Sequence, residues 1–192
     1  HVPYDNPLPI VRWLAGVKRA GRFPHLWTFA SSAVRLCQAA IESGTDLQGV
    51  HFTVTGEPFT PARLRLVLQT GAHPVPCYGS VECGYIGYGC LHPHAPDDSH
   101  LLHDLNVLIQ PGSDGPSRGL PPQALLVTSL RPTAPFILLN VSMGDQAVMS
   151  KRACGCALEQ LGWSTRLHEI RSFEKLTLGG MTFLDRDIIR VL

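Results

Sequence analysis

Residues 76–90 (PCYGSVECGYIGYGC) place four glycines, three tyrosines, three cysteines and one carboxylate in fifteen positions. Glycine weakens the interiors of helices and strands and lets backbone approach a ligand closely, so the stretch reads as a binding loop. The alternative is a surface loop whose tyrosines cover a core. Its carboxylate, Glu82, and a second one, Glu57 in the turn Gly56-Glu57-Pro58, each follow a run with strand character. Ligands of open parallel sheets bind outside the carboxyl ends of the strands, so both acids can face one crevice; each can equally sit in a solvated turn. Asp145 follows Gly144 at the end of another strand-like run, a pairing more often found in hairpin turns than in ligand sites. Cys154 and Cys156 form a tight Cys-x-Cys pair, and thiolate with imidazole suits tetrahedral zinc. Cys90 and His100, which flank a polar loop, can supply the other two ligands. His92 and His94 are rivals, and reduced thiols in a wet loop are the metal-free alternative.

The elements that must carry these residues follow from periodicity and punctuation. Residues 9–21 have helical spacing, with Pro9 near the start and Gly21 near the end. Residues 26–30 read as a short buried strand. Ser31 or Ser32 then caps a helix that runs to about Ser43 and stops at Gly44. A strand over 50–55 leads into the Gly56-Glu57-Pro58 turn, a helix starts at Pro61, and a strand over 75–78 follows. Strand, helix, strand, helix, strand predicts an α/β fold, a parallel sheet with crossover helices. Beyond the polar loop 92–99 the pattern changes to short strands near 101–110, 123–130, 135–141 and 146–149, with two more at 165–171 and 174–178. These predict a small antiparallel, barrel-like subdomain. Residues 152–156 read as a turn and 185–192 as the opening of a helix.

Composition narrows the classes. The 192 residues are 44% apolar and only 16% charged, below the usual quarter, which predicts that part of the surface is covered by something else. The net charge is +1 without a basic run, so no nucleic-acid partner is expected. No apolar run approaches the ~20 residues of a membrane span, and no signal pattern opens the chain, so no membrane partner is expected. The first residue is His1, as in a processed or excised piece. Six cysteines spaced irregularly among nine histidines do not resemble a disulfide scaffold, and a cytoplasmic protein with reduced thiols is expected. Cys37 and Cys77 read as core residues, Cys83 as a pocket-shaping one, and His25, His51, His73 and His168 as ordinary.

Taken together, Gly56-Glu57-Pro58, Tyr78-Gly79-Ser80-Val81-Glu82, Gly144-Asp145 and the segment 171–180 occur in an order that resembles the adenylate-forming acyl-CoA synthetase superfamily. The similarity is to its phenylacetate–CoA ligase-like branch. His100-Leu101-Leu102-His103-Asp104 is similar to that branch's strand before its barrel, and Cys154-Gly155-Cys156 to its Cys-x-Cys turn. The resemblance covers nearly the whole chain. It implies the adenylate-forming fold in part: an α/β subdomain over 1–98, a β-rich subdomain over 99–170, and over 171–192 a hinge with the start of a C-terminal domain.

The implied activity is ATP-dependent activation of a carboxylic acid, aromatic or otherwise compact, as an acyl-adenylate. Thioester formation with coenzyme A or another thiol carrier would follow. Gly56, Glu57, Pro58, Tyr78, Gly79 and Ser80 would hold the nucleotide and its phosphates, with Tyr78 offering a face to adenine. Glu82 would be the catalytic carboxylate that holds magnesium, Asp145 would accept the ribose hydroxyls, and Arg171 would reinforce that grip. Gly84, Tyr85, Gly87 and Tyr88 would line the acyl pocket. Zinc would be held by Cys90, His100, Cys154 and Cys156, as by similar residues in the branch. A homodimer is compatible with the pattern.

The departures are specific. The family's Ser/Thr/Gly-rich phosphate loop has no counterpart here, and the lysine of its C-terminal domain would lie beyond Leu192. Phe173 replaces the usual first aspartate of the hinge, with Glu174 in the second acidic position. Catalysis by this segment alone is therefore not expected. A nucleotide- or acyl-binding module without catalysis and a zinc-stapled interaction domain are the rival readings; a cysteine hydrolase using Cys83 or Cys90 is a weaker one.

Overall fold

The computed structural model describes residues 5–112, 119–178 and 181–184, with the side chains of 175–178 and 181–184 left aside. Helix α1 (Leu8–Arg19) starts with proline in its first turn, where a missing N–H costs little, and ends with Lys18 and Arg19 at the negative pole of its dipole. Its apolar stripe buries Val11 and Leu14 completely. β1 (His25–Phe29), α2 (Ala30–Glu42), β2 (His51–Thr55), α3 (Pro61–Gln69) and β3 (His73–Ser80) follow. β1 pairs with β2 and β2 with β3, all parallel, so the predicted crossover sheet is present. Phe52 and Val54 of β2 join Leu36 and Cys37 of α2 and Val67 of α3 in one buried core. The opposite face of the sheet leaves Trp27 and Phe29 substantially exposed.

Two local expectations change. Neither Ser31 nor Ser32 caps α2; Phe29 is the N-cap residue, and no side chain of its own caps the helix. Ser31 lies inside the first turn, and its N–H and Oγ donate to the Glu57 carboxylate at 2.8 Å each. A carboxylate from a distant turn thus satisfies a first-turn donor, which a positive helix pole favours. The second change concerns 76–90, which is a β-hairpin rather than a loop. β3 continues to Ser80, Val81–Cys83 turn, and β4 (Gly84–Tyr88) returns antiparallel, with a register shift between Tyr78 and Gly79. The glycines serve this hairpin. A Cβ on Gly79 would lie 2.4 Å from the Gly84 carbonyl oxygen, and Gly84 itself has φ of +73°. The prolines at 74 and 76 are tolerated because His73 N–H already bonds Val50 O on the β2 side, and β4 pairs with β3 only from Cys77 onward.

The chain then adds β5 (Ser99–Leu101), β6 (Asn106–Ile109), β7 (Ala124–Ser129), β8 (Val141–Lys151), the short helix α4 (Ala157–Gln160) and β9 (Thr165–Ser172). All these strands pair antiparallel, and the order β1-β2-β3-β4-β5-β9-β8-β7-β6 makes one nine-stranded sheet. A second core gathers Ile86, Leu101, Leu108, Leu125, Val127 and Leu167. The region predicted as strands at 135–141 and 146–149 is an irregular turn followed by one eleven-residue strand. Residues 101–110 split into β5 and β6 around a turn, and α4 was not foreseen. A hairpin of β10 (Lys175–Leu178) and β11 (Met181–Leu184) follows β9. The expected helix at 185–192 lies outside the described residues. No helix among them is long and apolar enough to cross a membrane.

Candidate active site and metal cluster

The carboxyl ends of β2 and β3 open into a cavity of ≈ 430 Å³. Gly56, Glu57 and Pro58 line it from the end of β2, and Tyr78, Gly79, Ser80 and Glu82 from β3 and the hairpin tip. Asp145 of β8 and Arg171 and Ser172 of β9 close the other side. These last residues converge because Asp145 pairs with Ser172 and Gln146 with Arg171, beside a bulge in β8. Gly144, immediately before the aspartate, has φ of +77°, and a Cβ there would meet the Glu174 carboxylate at 2.7 Å. Its carbonyl accepts from Phe173 N–H and Ser172 Oγ–H, both at 2.9 Å, which ties the segment after β9 to the aspartate. Asp145 is therefore mid-strand and is not in a hairpin turn.

Tyr78 Oη donates to Asp145 Oδ2 at 3.0 Å, joining the parallel and antiparallel parts of the sheet across the cavity. Burial, then the negative charge and hydrogen bond of Asp145, push the Tyr78 hydroxyl well above its ordinary pKa. Tyr78 thus stays a donor throughout the neutral range. Glu82 is exposed at the hairpin tip and faces the cavity, where a carboxylate can meet a hard cation. Glu57 is differently employed. Its side chain is fully buried, accepts from Ser31 and lies 3.1 Å from Arg63 Nη1, so it holds the wall together. Ser80 Oγ accepts from Cys83 N–H at 3.3 Å and closes the hairpin turn.

Gly84, Tyr85, Gly87 and Tyr88 do not line this cavity. Tyr85 is half exposed with its ring centroid 5.3 Å from that of Trp27. Tyr88 Oη lies 2.9 Å from Thr53 Oγ1, and Gly87 is backed by Ser99, His100 and Leu167. The two tyrosines share the open face of the sheet with Trp27.

Cys90, His100, Cys154 and Cys156 do converge, their ligand atoms all within 4.8 Å of one another. Cys90 and Cys154 Sγ are 3.9 Å apart, and His100 Nε2 lies 3.6 and 3.3 Å from the sulfurs of Cys154 and Cys156. His100 Nδ1 donates to the Trp163 carbonyl at 2.5 Å, which leaves Nε2 as the lone-pair nitrogen turned to the sulfurs. Burial holds this imidazole below its usual pKa range. Glu159 Oε2 accepts from Cys154 and Gly155 N–H at 2.8 and 2.6 Å and shapes the Cys-x-Cys turn. The separations suit a tetrahedral ion with metal–ligand bonds of about 2.0–2.3 Å. Among the described residues no other group of this kind is present, and His92 and His94 are not part of it.

Several residues of both sites were not legible beforehand. Asp97 and Ser99 line the cavity. Asp97 accepts from Glu169 and Ile170 N–H at 3.2 and 2.6 Å, securing β9 just before Arg171. Asp98 is completely buried and receives Arg166 and Arg152. The available signals were two adjacent acids in a weakly charged chain and an arginine inside a strand.

No protein-family model and no curated protein matches the sequence. Solved structures do. A 2-hydroxyisobutyryl-CoA ligase in its postadenylation state, in complex with R3-HIB-AMP, superposes with a TM-score of 0.66 at 18% identity, over 95% of this chain and 39% of that one. A mutant form of coronafacic acid ligase from Pectobacterium brasiliense gives 0.54 at 12% identity, over 93% and 35%. The chain has the fold of the adenylate-forming acyl-CoA ligases. It spans less than two fifths of the length of these two relatives.

Proposed function

We propose that the chain is the adenylate-holding portion of an ATP-dependent acid–thiol ligase. The observation that carries this is the convergence of Tyr78, Glu82, Asp145 and Arg171 on one cavity at the carboxyl ends of the strands. In the first half-reaction a carboxylate oxygen attacks the α-phosphorus of ATP, the bond to pyrophosphate breaks, and an acyl-adenylate results. In the second, a thiol sulfur, from coenzyme A or a carrier, attacks the acyl carbon and expels AMP, the thiol proton leaving to solvent. Bringing anions together calls for positioned charge more than for a general base. Magnesium, when bound, would neutralise the phosphates, and the Glu82 carboxylate would hold it. Asp145, oriented by Tyr78, accepts the ribose hydroxyls, and Arg171 stands beside it. The Tyr78 ring offers adenine a face. Glu57 keeps the β2–α3 turn against α2 so that Gly56 and Pro58 stay in place. Tyr85 and Tyr88, with Trp27, offer flat apolar surface to an aromatic or compact acid. We assign the Cys90–His100–Cys154–Cys156 cluster to a structural zinc ion.

Calorimetric titration with a non-hydrolysable acyl-adenylate analogue tests the nucleotide assignment. The wild-type chain should bind it, and Asp145→Ala should lose roughly 1.5–3 kcal/mol, the scale of a charge-assisted hydrogen bond. Equal affinity of the two would remove the ribose role. No binding by a folded wild-type chain would favour a module that keeps the fold without the activity.

A further inference from the structure

We propose that Arg166 is the outer-sphere partner of the metal cluster, donating hydrogen bonds to the thiolates of Cys90 and Cys154 and cancelling their excess charge. This rests on the assignment of Cys90, His100, Cys154 and Cys156 as ligands of a thiophilic divalent cation. Arg166 is completely buried in β9, an uncommon place for a guanidinium. One edge of its fork is engaged by Asp98, with Nε 2.8 Å from Oδ1 and Nη2 2.5 Å from Oδ2. That leaves Nη1 to point into the cluster, 3.6 Å from Cys90 Sγ and 3.5 Å from Cys154 Sγ. Nη1 carries two hydrogens and meets two sulfurs. It also lies against His100 Nε2. Once that nitrogen gives its lone pair to a cation it can no longer accept, so both hydrogens of Nη1 turn to the sulfurs.

The charges support the same arrangement. A divalent cation bound by three thiolates and a neutral imidazole keeps one net negative charge. Buried charge is costly unless paired. Arg166 and Arg152 both hold Asp98, with Arg152 Nη2 2.5 Å from Oδ2, and the three together contribute one net positive charge. With the cation in place these charges sum to zero, the partly exposed Arg152 included. Lysine would carry the same charge but no planar fork, and could serve Asp98 or the thiolates but not both.

The test uses the whole chain and reads metal, not ligase activity. Zinc affinity is measured by competition with a chromophoric chelator for the wild type and Arg166→Lys, with circular dichroism as the check on folding. Arg166→Lys should bind zinc 10–100-fold more weakly, the usual effect of losing an outer-sphere partner. In wild-type protein loaded with NMR-active cadmium, the Nη1 protons of Arg166 should show scalar coupling to the metal through sulfur. That second reading stands even where the lysine variant fails to fold. Unchanged zinc affinity in a folded Arg166→Lys, or absent coupling in the cadmium form, overturns the proposal while leaving the ligand set intact. A wild-type chain that takes up neither metal overturns the ligand assignment itself.

Discussion

At the scale of single residues, the same kind of side chain does different work according to what surrounds it. Glu57 and Glu82 both follow strands and both line the cavity, yet Glu57 is buried against Ser31 and Arg63 while Glu82 is exposed at a hairpin tip. Only the second is open to water, where the proposed hydrated cation would reach it. Tyr78 and Asp145 work as a pair. Tyr78→Phe keeps the ring but removes the donor to Asp145 Oδ2, so the carboxylate loses the bond that orients it. Binding of an acyl-adenylate analogue should weaken about tenfold, near 1.4 kcal/mol, in the same titration. An unchanged affinity would show that Asp145 is held without the tyrosine.

At the scale of elements, the loop 90–100 and β9 connect the two sites. His100 and Cys90 bound this loop, Asp98 near its end clamps Arg166, and the neighbouring Asp97 receives the Glu169 and Ile170 amides just before Arg171. On the proposed assignments, stripping the zinc should therefore loosen a wall of the Tyr78–Asp145 cavity as well as the cluster. After exhaustive chelation, hydrogen exchange should rise over residues 90–100 and 165–171, and affinity for the adenylate analogue should fall, returning when zinc is restored. Exchange confined to residues 152–160 would show that the cluster staples only its own turn. The β3–β4 hairpin is the other connecting element, since it carries Tyr78 and Glu82 on one side and Tyr85 and Tyr88 on the other.

Across the whole molecule, two cores share one continuous sheet, and two buried thiols, Cys37 in the first core and Cys77 in β3, should make stability fall at alkaline pH. Burial pushes Cys37 and Cys77 from 9.0 to about 11, the Thr70 hydroxyl bond partly opposing this at Cys37. Raised folded-state values mean that the folded chain holds these protons while the unfolded chain releases them. The contribution is complete below pH 9 and is lost as pH rises toward 11. Each thiol should withdraw about 1.4 kcal/mol of stability per pH unit in that window. Urea denaturation from pH 8 to 11 checks this, and replacing Cys37 by alanine should reduce the slope by one thiol's share.

Local patterning determined much of this protein in advance. Helical spacing, prolines in first turns and alternating strands were enough for the α/β half, because those signals are short-range and the parallel sheet obeys them. The order of Gly56-Glu57-Pro58, Tyr78, Glu82, Gly144-Asp145 and Arg171 was legible through the family resemblance, which also favoured Cys90 and His100 over His92 and His94 as companions of the Cys154–Cys156 pair. Tertiary structure decided what depends on contacts between distant segments. Glycine content alone cannot tell a loop from a tight hairpin; the approach of Gly79 to the Gly84 carbonyl does. Glu57 was committed to α2 by a serine 26 residues earlier in the chain, and Arg166 to the cluster by an aspartate 68 residues away. A carboxylate or guanidinium carries the same label in every sequence, and its role is set by whether folding leaves it in water or buries it beside an opposite charge.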